Sequence, residues 1–587
     1  MLKTFEAIDS PELLKQLTPS QLLAYADYLR QFLIEKIAEQ GGHFAANLGT
    51  VELSIALHYV FNSPTDKMVW DVGHQAYAHK ILTGRKKAFN NIRRLNGISG
   101  FPKISESEHD AFGTGHSSTA ISAILGYAVA ANIQGLNRQN IAIIGDGALS
   151  AGQAFEGLNN AGISNTNITV IVNDNHIGID PSQGALGEYL EQLEYKQDNL
   201  FTDFGFQYYG PIDGHNIAEL LTVFNETKLV EGPMVIHIKT IKGKGYKAAE
   251  EEQTKWHSTS QFDKLSGKSL AIKSNLPKYQ DIFGNHLLVL AQKNETIVAI
   301  TPAMISGSSL HFMQQKFPNR VFDVGIAEQH AVTFAAALAA AGLRPFCCIY
   351  STFLQRGYDQ LIHDVALQNL PVIFAIDRAG LVGEDGPTHH GVFDIPFLQT
   401  IPNLVIVSPR NELELTKAMD MAVSHLESPV AIRYPRGYAH NSSLNSSTKP
   451  MVIGETECLT EGRQICLIST GTIASECEAA IAELNDRYSV AHYDFKFIKP
   501  LNTETLIQIF SNFTKVLVVE EGQKLGGLGS TIALFASEMG YKGQLKSVGI
   551  TDHFTTHGSM SELFELEGLA MGAIENAIIE LCLEQKV

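Results

Sequence analysis

Short β-branched runs recur along the chain: IAIIG at 141–145, ITVIVN at 168–173, MVIHIK at 234–239, VIFAID at 372–377, LVIVSP at 404–409, ICLIST at 465–470 and KVLVVE at 515–520. They lack the polar alternation of a half-exposed strand, which predicts strands buried on both faces. Between them lie longer stretches with apolar residues at helical spacing, such as EQHAVTFAAALAAAG at 328–342. This alternation is the βαβ rhythm of parallel sheets covered by helices on both sides. No repeat of solenoid length accompanies it. Two polar stretches, 255–278 and 437–450, lack sustained apolar periodicity and read as linkers. The expected fold is therefore α/β, with three doubly wound, mostly parallel-sheet domains at 1–277, 278–450 and 451–587.

Charge narrows the classes of partner. Across 587 residues, 44 basic side chains face 62 acidic ones, a net −18, which argues against nucleic acid or an anionic membrane surface. An anionic substrate must then meet a local cluster of Arg or Lys. The start, MLKTFEAIDSPELLKQL, has no apolar core of signal-peptide length. The longest strongly apolar run, 331–343, is too short to span a bilayer, so a soluble cytoplasmic protein is expected. All six cysteines lie from Cys347 onward without metal-ligand spacing, and Cys347 and Cys348 read as reduced core residues.

In an open parallel sheet, ligands sit beyond the carboxyl ends of the strands. Here one run ends in G-D-G at 145–147 and the next in N-D-N at 173–175. A dinucleotide fingerprint fails, because Ser150 stands where the third glycine belongs and the second strand ends in amides rather than a ribose-binding acid. No G-x-x-x-x-G-K-[ST] occurs either. What remains is an oxygen-ligand site of carboxylate, amide and main-chain carbonyl, which suits Mg²⁺, and Gly147 would let the backbone approach a diphosphate. The competing reading is a tight βα turn with capping Asp and Asn side chains.

The pairing of G-D-G with N-D-N resembles the metal–diphosphate motif of thiamine-diphosphate enzymes. That family also needs a glutamate from another domain to hydrogen-bond the aminopyrimidine ring. FDVGIAEQHAVTF at 322–334 places Glu328 at a helix start, and YSTFLQR at 350–356 supplies Phe353, similar to the aromatic that stacks on the pyrimidine. Otherwise Glu328 is only a helix-dipole acid, worth some tenths of a kcal/mol. With GGHFAANLGTVELSIALHYVF (41–61), WDVGHQAYAHKILTGR (70–85), GTGHSSTAIS (113–122), GPIDGHN (210–216), AIDRAGLVGEDGPTHHG (375–391) and RYPRG (433–437), the chain resembles the 1-deoxy-D-xylulose 5-phosphate synthase family of transketolase-like enzymes.

That resemblance implies a transferase that condenses pyruvate with D-glyceraldehyde 3-phosphate and releases CO₂, feeding isoprenoid, thiamine and pyridoxal precursor synthesis. It implies thiamine diphosphate and Mg²⁺ as cofactors, a homodimer, and no nucleic-acid or membrane partner. The implied metal ligands are Asp146, Asn175 and the carbonyl of Ile177. The implied cofactor contacts are His74, Gly115, His116, Ser117, Gly147, Ala148, Asn175, Tyr246, Glu328 and Phe353. Tyr246 lies in IKGKGY, read as functional, with a merely solvated charge run of lysines as the alternative. The implied catalytic residues are Glu328, His43 and His389, and the implied substrate groups are Tyr350, Arg356, Arg378, Asp385, His389 and Arg436. For Arg378 and Arg436 the alternative is pairing with a nearby acid such as Asp377 or Glu384. His58, His79 and His363 read as ordinary hydrogen-bonded histidines.

Two features depart from the family pattern. After N-D-N stand His176, Ile177 and Gly178 in place of the expected E-M-S, and the excursion before FGFQYYGPIDGH is trimmed to a short helix-like piece, GEYLEQLEYKQ. The trimming bears on lid behaviour. A ketose-donor transketolase and an α-keto acid dehydrogenase component remain alternatives, as does a silent paralogue. The sign of the last would be loss of Glu328 or Asp146, and both are present.

Overall fold

The computed structural model describes residues 5–178, 180–181, 184–195, 198–271, 274–439 and 449–583. The chain forms two compact units, one of residues up to 273 together with 325–327, the other of 274–324 together with 328 onward.

The first unit is built on a five-stranded parallel sheet in the spatial order Lys67–Trp70, Asn140–Gly145, Thr169–Asp174, Met234–Lys239, Gln207–Asp213. Alternate side chains leave the strands in opposite directions. Ala142, Ile144, Val170 and Val172 enter one apolar cluster with helices Ala120–Gln134 and Gly152–Gly162. Ile141, Ile143 and Ile171 enter another with helices Val51–Val60 and Ile217–Thr227. Both faces are covered at the centre of the sheet, which is why runs such as 141–144 and 170–172 are apolar throughout. Helix Pro19–Gln40 starts at a Thr18–Gln21 capping box with Pro19 in its first turn, and packs into a third cluster.

Most of the stretch 255–278, read above as a linker, belongs to this first unit. Ser258–Thr259 pairs antiparallel with Gly42–His43, and Trp256 and Phe262 are buried in the cluster around helix Pro19–Gln40. Two large aromatics are too sparse to produce a periodic signal, yet they fix the segment. Residues 272–273 and 440–448, which fall in the two expected linkers, lie outside the described residues. Of the trimmed piece after N-D-N, residues 187–195 lie in helix Ala185–Glu191 and a 3-10 turn, Gln192–Tyr195, and 196–197 lie outside the described residues.

The second unit holds two sheets. One runs Phe497–Lys499, Val405–Val407, Val430–Arg433, Ile373–Asp377, Arg344–Tyr350, Ile297–Thr301, Val321–Asp323, parallel except for its first edge strand. The other runs Glu457–Thr460, Val490–Asp494, Ile465–Thr470, Lys515–Gln523, Gln544–Ile550, again with one antiparallel edge. The segments expected as separate domains at 278–450 and 451–587 thus each carry a sheet, but Phe497–Lys499 crosses to complete the other's edge. At that crossing the buried Lys496 ammonium binds Glu414 at 2.8 Å and Glu457 at 3.0 Å. Cys347 and Cys348 are buried and none of the six cysteines is in a disulfide. Among the described residues no helix is long and apolar enough to cross a membrane.

Glu521, buried in strand Lys515–Gln523, accepts the Leu381 amide at 2.8 Å, and burial pushes its carboxyl from 4.5 up to about 7. A carboxyl raised in the folded state favours folding while protonated, so its contribution is whole below about 4.5 and is lost as pH rises through about 7. Wild type should therefore lose stability relative to Glu521→Gln across that window, by on the order of a few kcal/mol. Denaturant melts of the two proteins at matched pH values check this, and parallel pH profiles would contradict it.

Candidate functional site

Register brings the two acidic–amide motifs together. Gly145 lies opposite Asn173 in the parallel pair, so G-D-G and N-D-N leave the sheet side by side at its carboxyl edge. The structure sorts the second motif by function. Asn173 accepts the Thr240 hydroxyl at 2.6 Å, and Asp174 holds His237 at 2.9 Å, so both serve the fold. Asn175 stands at the strand end, its side-chain oxygen receiving the Ile177 amide at 3.2 Å. Asp146 is buried and opens the turn Asp146–Leu149.

The lysine of IKGKGY at 242 is not a solvated charge. Lys242 is buried and donates to the Gly178 carbonyl, and burial lowers its ammonium to about 8 against the attraction of Asp146 and Asp180. A carboxylate, an amide oxygen and a main-chain carbonyl beside a buried cation form a donor set that fits a divalent metal with a diphosphate. Tyr246, four residues on, packs its ring against Phe44 and Trp256 at 5.3 and 5.2 Å between centroids and donates to the Lys264 carbonyl.

Three imidazoles gather in the same unit. The His43 ring lies 5.9 Å from His74 and 6.0 Å from His257, and the latter two are 5.1 Å apart. Asn47, fully buried, donates to the carbonyls of His43 and His74 at 2.9 and 2.7 Å and accepts the Tyr77 amide at 2.8 Å. Gly73 must be glycine there: its φ is +85°, and a Cβ would fall 2.3 Å from the Thr114 hydroxyl. The Gly115–His116–Ser117 turn is held from behind by Asp71, which accepts the Ser118 and Ala120 amides at 2.6 and 3.0 Å, while the Ser118 hydroxyl reaches the Ala148 carbonyl. His257, Asn47 and Asp71 were not singled out from sequence, and Lys242 only as one lysine of the IKGKGY loop. His257 sits in the presumed linker, and the other three are visible only once their backbone partners are known.

A second group of residues lies in the second unit. Glu328 is buried at the start of helix Glu328–Ala340, where burial raises its carboxyl despite Arg356 at 3.9 Å. Tyr350 and Asp377 are register partners at the ends of adjacent parallel strands. The Tyr350 ring stacks on Phe353 at 5.8 Å, Phe353 meets His389 edge-on at 5.6 Å, and the Arg378 guanidinium lies 4.2 Å above Tyr350. His389 also shares a hydrogen bond of 2.8 Å with the Thr388 hydroxyl, and Asp385 directly precedes the short turn Gly386–Thr388. Both arginines have the acid partner weighed above: Arg378 pairs with buried Asp377 and donates to the Gly307 carbonyl at 2.9 Å, and half-exposed Arg436 meets Glu384 at 3.3 Å. They nonetheless converge. Both lie near enough to Asp377 to lower its carboxyl, which burial nonetheless holds up at about 6. His58, His79 and His363 are ordinary: the first two bond each other at 2.9 Å in the core, and the third pairs with Asp364 at the surface.

The family model described as 1-deoxy-D-xylulose-5-phosphate synthase matches residues 5–199 and 193–240. That of the transketolase pyrimidine binding domain matches 276–440, and that of the transketolase C-terminal domain 454–574. The chain is 46% identical over 623 residues to the 1-deoxy-D-xylulose-5-phosphate synthase of Cytophaga hutchinsonii, covering 98% of each chain. It is 45% identical to that of Chlorobaculum tepidum, again with 98% of each covered. A transketolase structure from Campylobacter jejuni matches 96% of this chain and 100% of its own at 20% identity, with a TM-score of 0.45.

Proposed function

The chain belongs to the 1-deoxy-D-xylulose-5-phosphate synthase family, and we propose that it divides the family's reaction between the two residue groups just described. It is a transketolase-type transferase that condenses pyruvate with D-glyceraldehyde 3-phosphate to give 1-deoxy-D-xylulose 5-phosphate and CO₂, with thiamine diphosphate and a divalent metal. Asp146, Asn175 and the Ile177 carbonyl hold Mg²⁺. Lys242, Gly147, Ala148 and the Gly115–His116–Ser117 turn receive the diphosphate. The observation that carries this reading is the register of Gly145 on Asn173, together with the buried Lys242 ammonium that donates to the Gly178 carbonyl and is attracted by Asp146.

When bound, thiamine diphosphate supplies the electron sink that lets pyruvate lose its carboxylate. Glu328 holds a proton at the aminopyrimidine, Phe353 supports that ring, and His74 and Tyr246 line the cofactor. His43 and His389 exchange protons with substrate oxygens, and His257 shares the imidazole cluster of His43. Tyr350, Arg356 and Asp385 orient the reacting molecules. We read three domains, for diphosphate and metal at 1–277, for the pyrimidine at 278–450 and C-terminal at 451–587, a reading supported by family-model matches at 5–240, 276–440 and 454–574. We read the working enzyme as a cytoplasmic homodimer.

Arg378 and Arg436 bind the acceptor phosphate, and the two differ in what their loss does. Arg436 pairs with a half-exposed acid, a contact worth about 0–1 kcal/mol, so phosphate readily replaces it. Arg436→Ala should lower kcat/KM for glyceraldehyde 3-phosphate roughly ten- to a hundredfold, as a lost charge-assisted hydrogen bond predicts, with little change for pyruvate or an unphosphorylated aldehyde. Arg378→Ala should add a fall in melting temperature, because it strands the buried Asp377 carboxylate. Equal losses with phosphorylated and unphosphorylated acceptors would withdraw the phosphate assignment.

A further inference from the structure

The GPIDGHN motif carries a histidine with no part in the account so far. His215 sits in the turn between strand Gln207–Asp213 and helix Ile217–Thr227, its own amide held by Asp213 at 2.9 Å. Its Nε2 lies 2.8 Å from the Ile241 amide and its Nδ1 3.1 Å from Glu52 Oε2. A backbone N–H can only donate, so Nε2 accepts and the ring hydrogen is on Nδ1, donated to Glu52. Glu52 is buried in helix Val51–Val60, and its other oxygen binds the Arg30 guanidinium of helix Pro19–Gln40. Burial pushes the Glu52 carboxyl up, but His215 and Arg30 outweigh it and hold it below its ordinary value.

The three residues touch the IKGKGY segment twice. His215 fixes the Ile241 amide. Arg30 lays its stem under Gly245, where φ is +82° and a Cβ would lie 2.4 Å from the Arg30 Cδ. Gly243 is tied between them, its amide on the Ala45 carbonyl at 2.8 Å. Lys242 directly follows the amide that His215 holds. Its ammonium can act as a point charge for a diphosphate only while the backbone beneath it keeps its place.

We propose that Arg30, Glu52 and His215 form a positioning triad that sets the 241–245 backbone and so aims Lys242 at the cofactor diphosphate. This rests on reading Asp146 and Asn175 as the metal–diphosphate site. His215 is not a catalytic residue in this view; it acts through Lys242.

Two substitutions separate its two bonds. His215→Asn keeps a donor near the Nδ1 position for Glu52 and removes the acceptor for Ile241, whereas His215→Gln puts an acceptor near the Nε2 position. The Kd of thiamine diphosphate with Mg²⁺, measured by calorimetry on the full-length enzyme, should rise about tenfold or more in His215→Asn and stay within about threefold of wild type in His215→Gln. Lys242→Met should weaken binding as well, and adding His215→Asn to it should weaken binding no further. Wild-type affinity in His215→Asn, equal weakening in both His215 variants, or additive losses in the double variant would each overturn the triad. Asp146→Ala, run alongside, tests the underlying site: if it binds the cofactor as tightly as wild type, the site reading fails and the triad with it. If Asp146→Ala loses binding while His215→Asn does not, the triad alone fails.

Discussion

Glu328→Gln is expected to fold normally and to lose turnover by a factor on the order of 10² or more, the loss that follows removal of a positioned proton-transfer partner. The side chain is buried at a helix start with Arg356 3.9 Å away, and burial raises its carboxyl. A raised carboxyl in the folded state weakens folding once pH exceeds its folded value, so the amide should leave the melting temperature equal or higher at pH 8. Inactivity combined with undiminished stability is the signature of a functional acid. A helix-dipole acid would give the opposite: near-normal activity with a small loss of stability. Steady-state rates and thermal melts of the same preparations distinguish the two.

Asp146→Ala should abolish the stabilisation that thiamine diphosphate with Mg²⁺ confers. A ligand that binds only the folded state adds RT ln(1 + [L]/Kd), roughly 2.7 kcal/mol at a hundredfold excess over Kd. Wild type should therefore melt several degrees higher with both components than with either alone. In the variant, Lys242 keeps its place but the metal loses its carboxylate, and the rise should vanish. An undiminished rise in Asp146→Ala would remove Asp146 from the metal site.

The parallel sheets were legible because a strand buried on both faces has to be apolar at every position. Ile141 to Ile144 feed two different cores in alternation, and no other element explains such a run. The G-D-G and N-D-N ends were legible because strand ends in such sheets are where ligands gather, and their register confirms that they are neighbours. His257 was not legible. It reaches His43 because Ser258–Thr259 pairs with Gly42–His43 across a separation of more than two hundred positions, and two-residue strands leave no pattern. Lys242 was ambiguous for another reason: a lysine in a glycine-rich loop looks solvated until the burial of its ammonium is known. The shared unit formed by the last two sheets follows from Phe497–Lys499 joining an edge strand, a pairing that three residues cannot announce.

This chain takes pyruvate as donor and a phosphorylated triose as acceptor. The most direct measurement is formation of 1-deoxy-D-xylulose 5-phosphate and CO₂ by the purified enzyme, with each component omitted in turn and with xylulose 5-phosphate offered in place of pyruvate. The account predicts product only when pyruvate, glyceraldehyde 3-phosphate, thiamine diphosphate and Mg²⁺ are all present, with one CO₂ released per product formed. Product transfer from xylulose 5-phosphate without CO₂ release, or pyruvate turnover that ignores glyceraldehyde 3-phosphate, would contradict it.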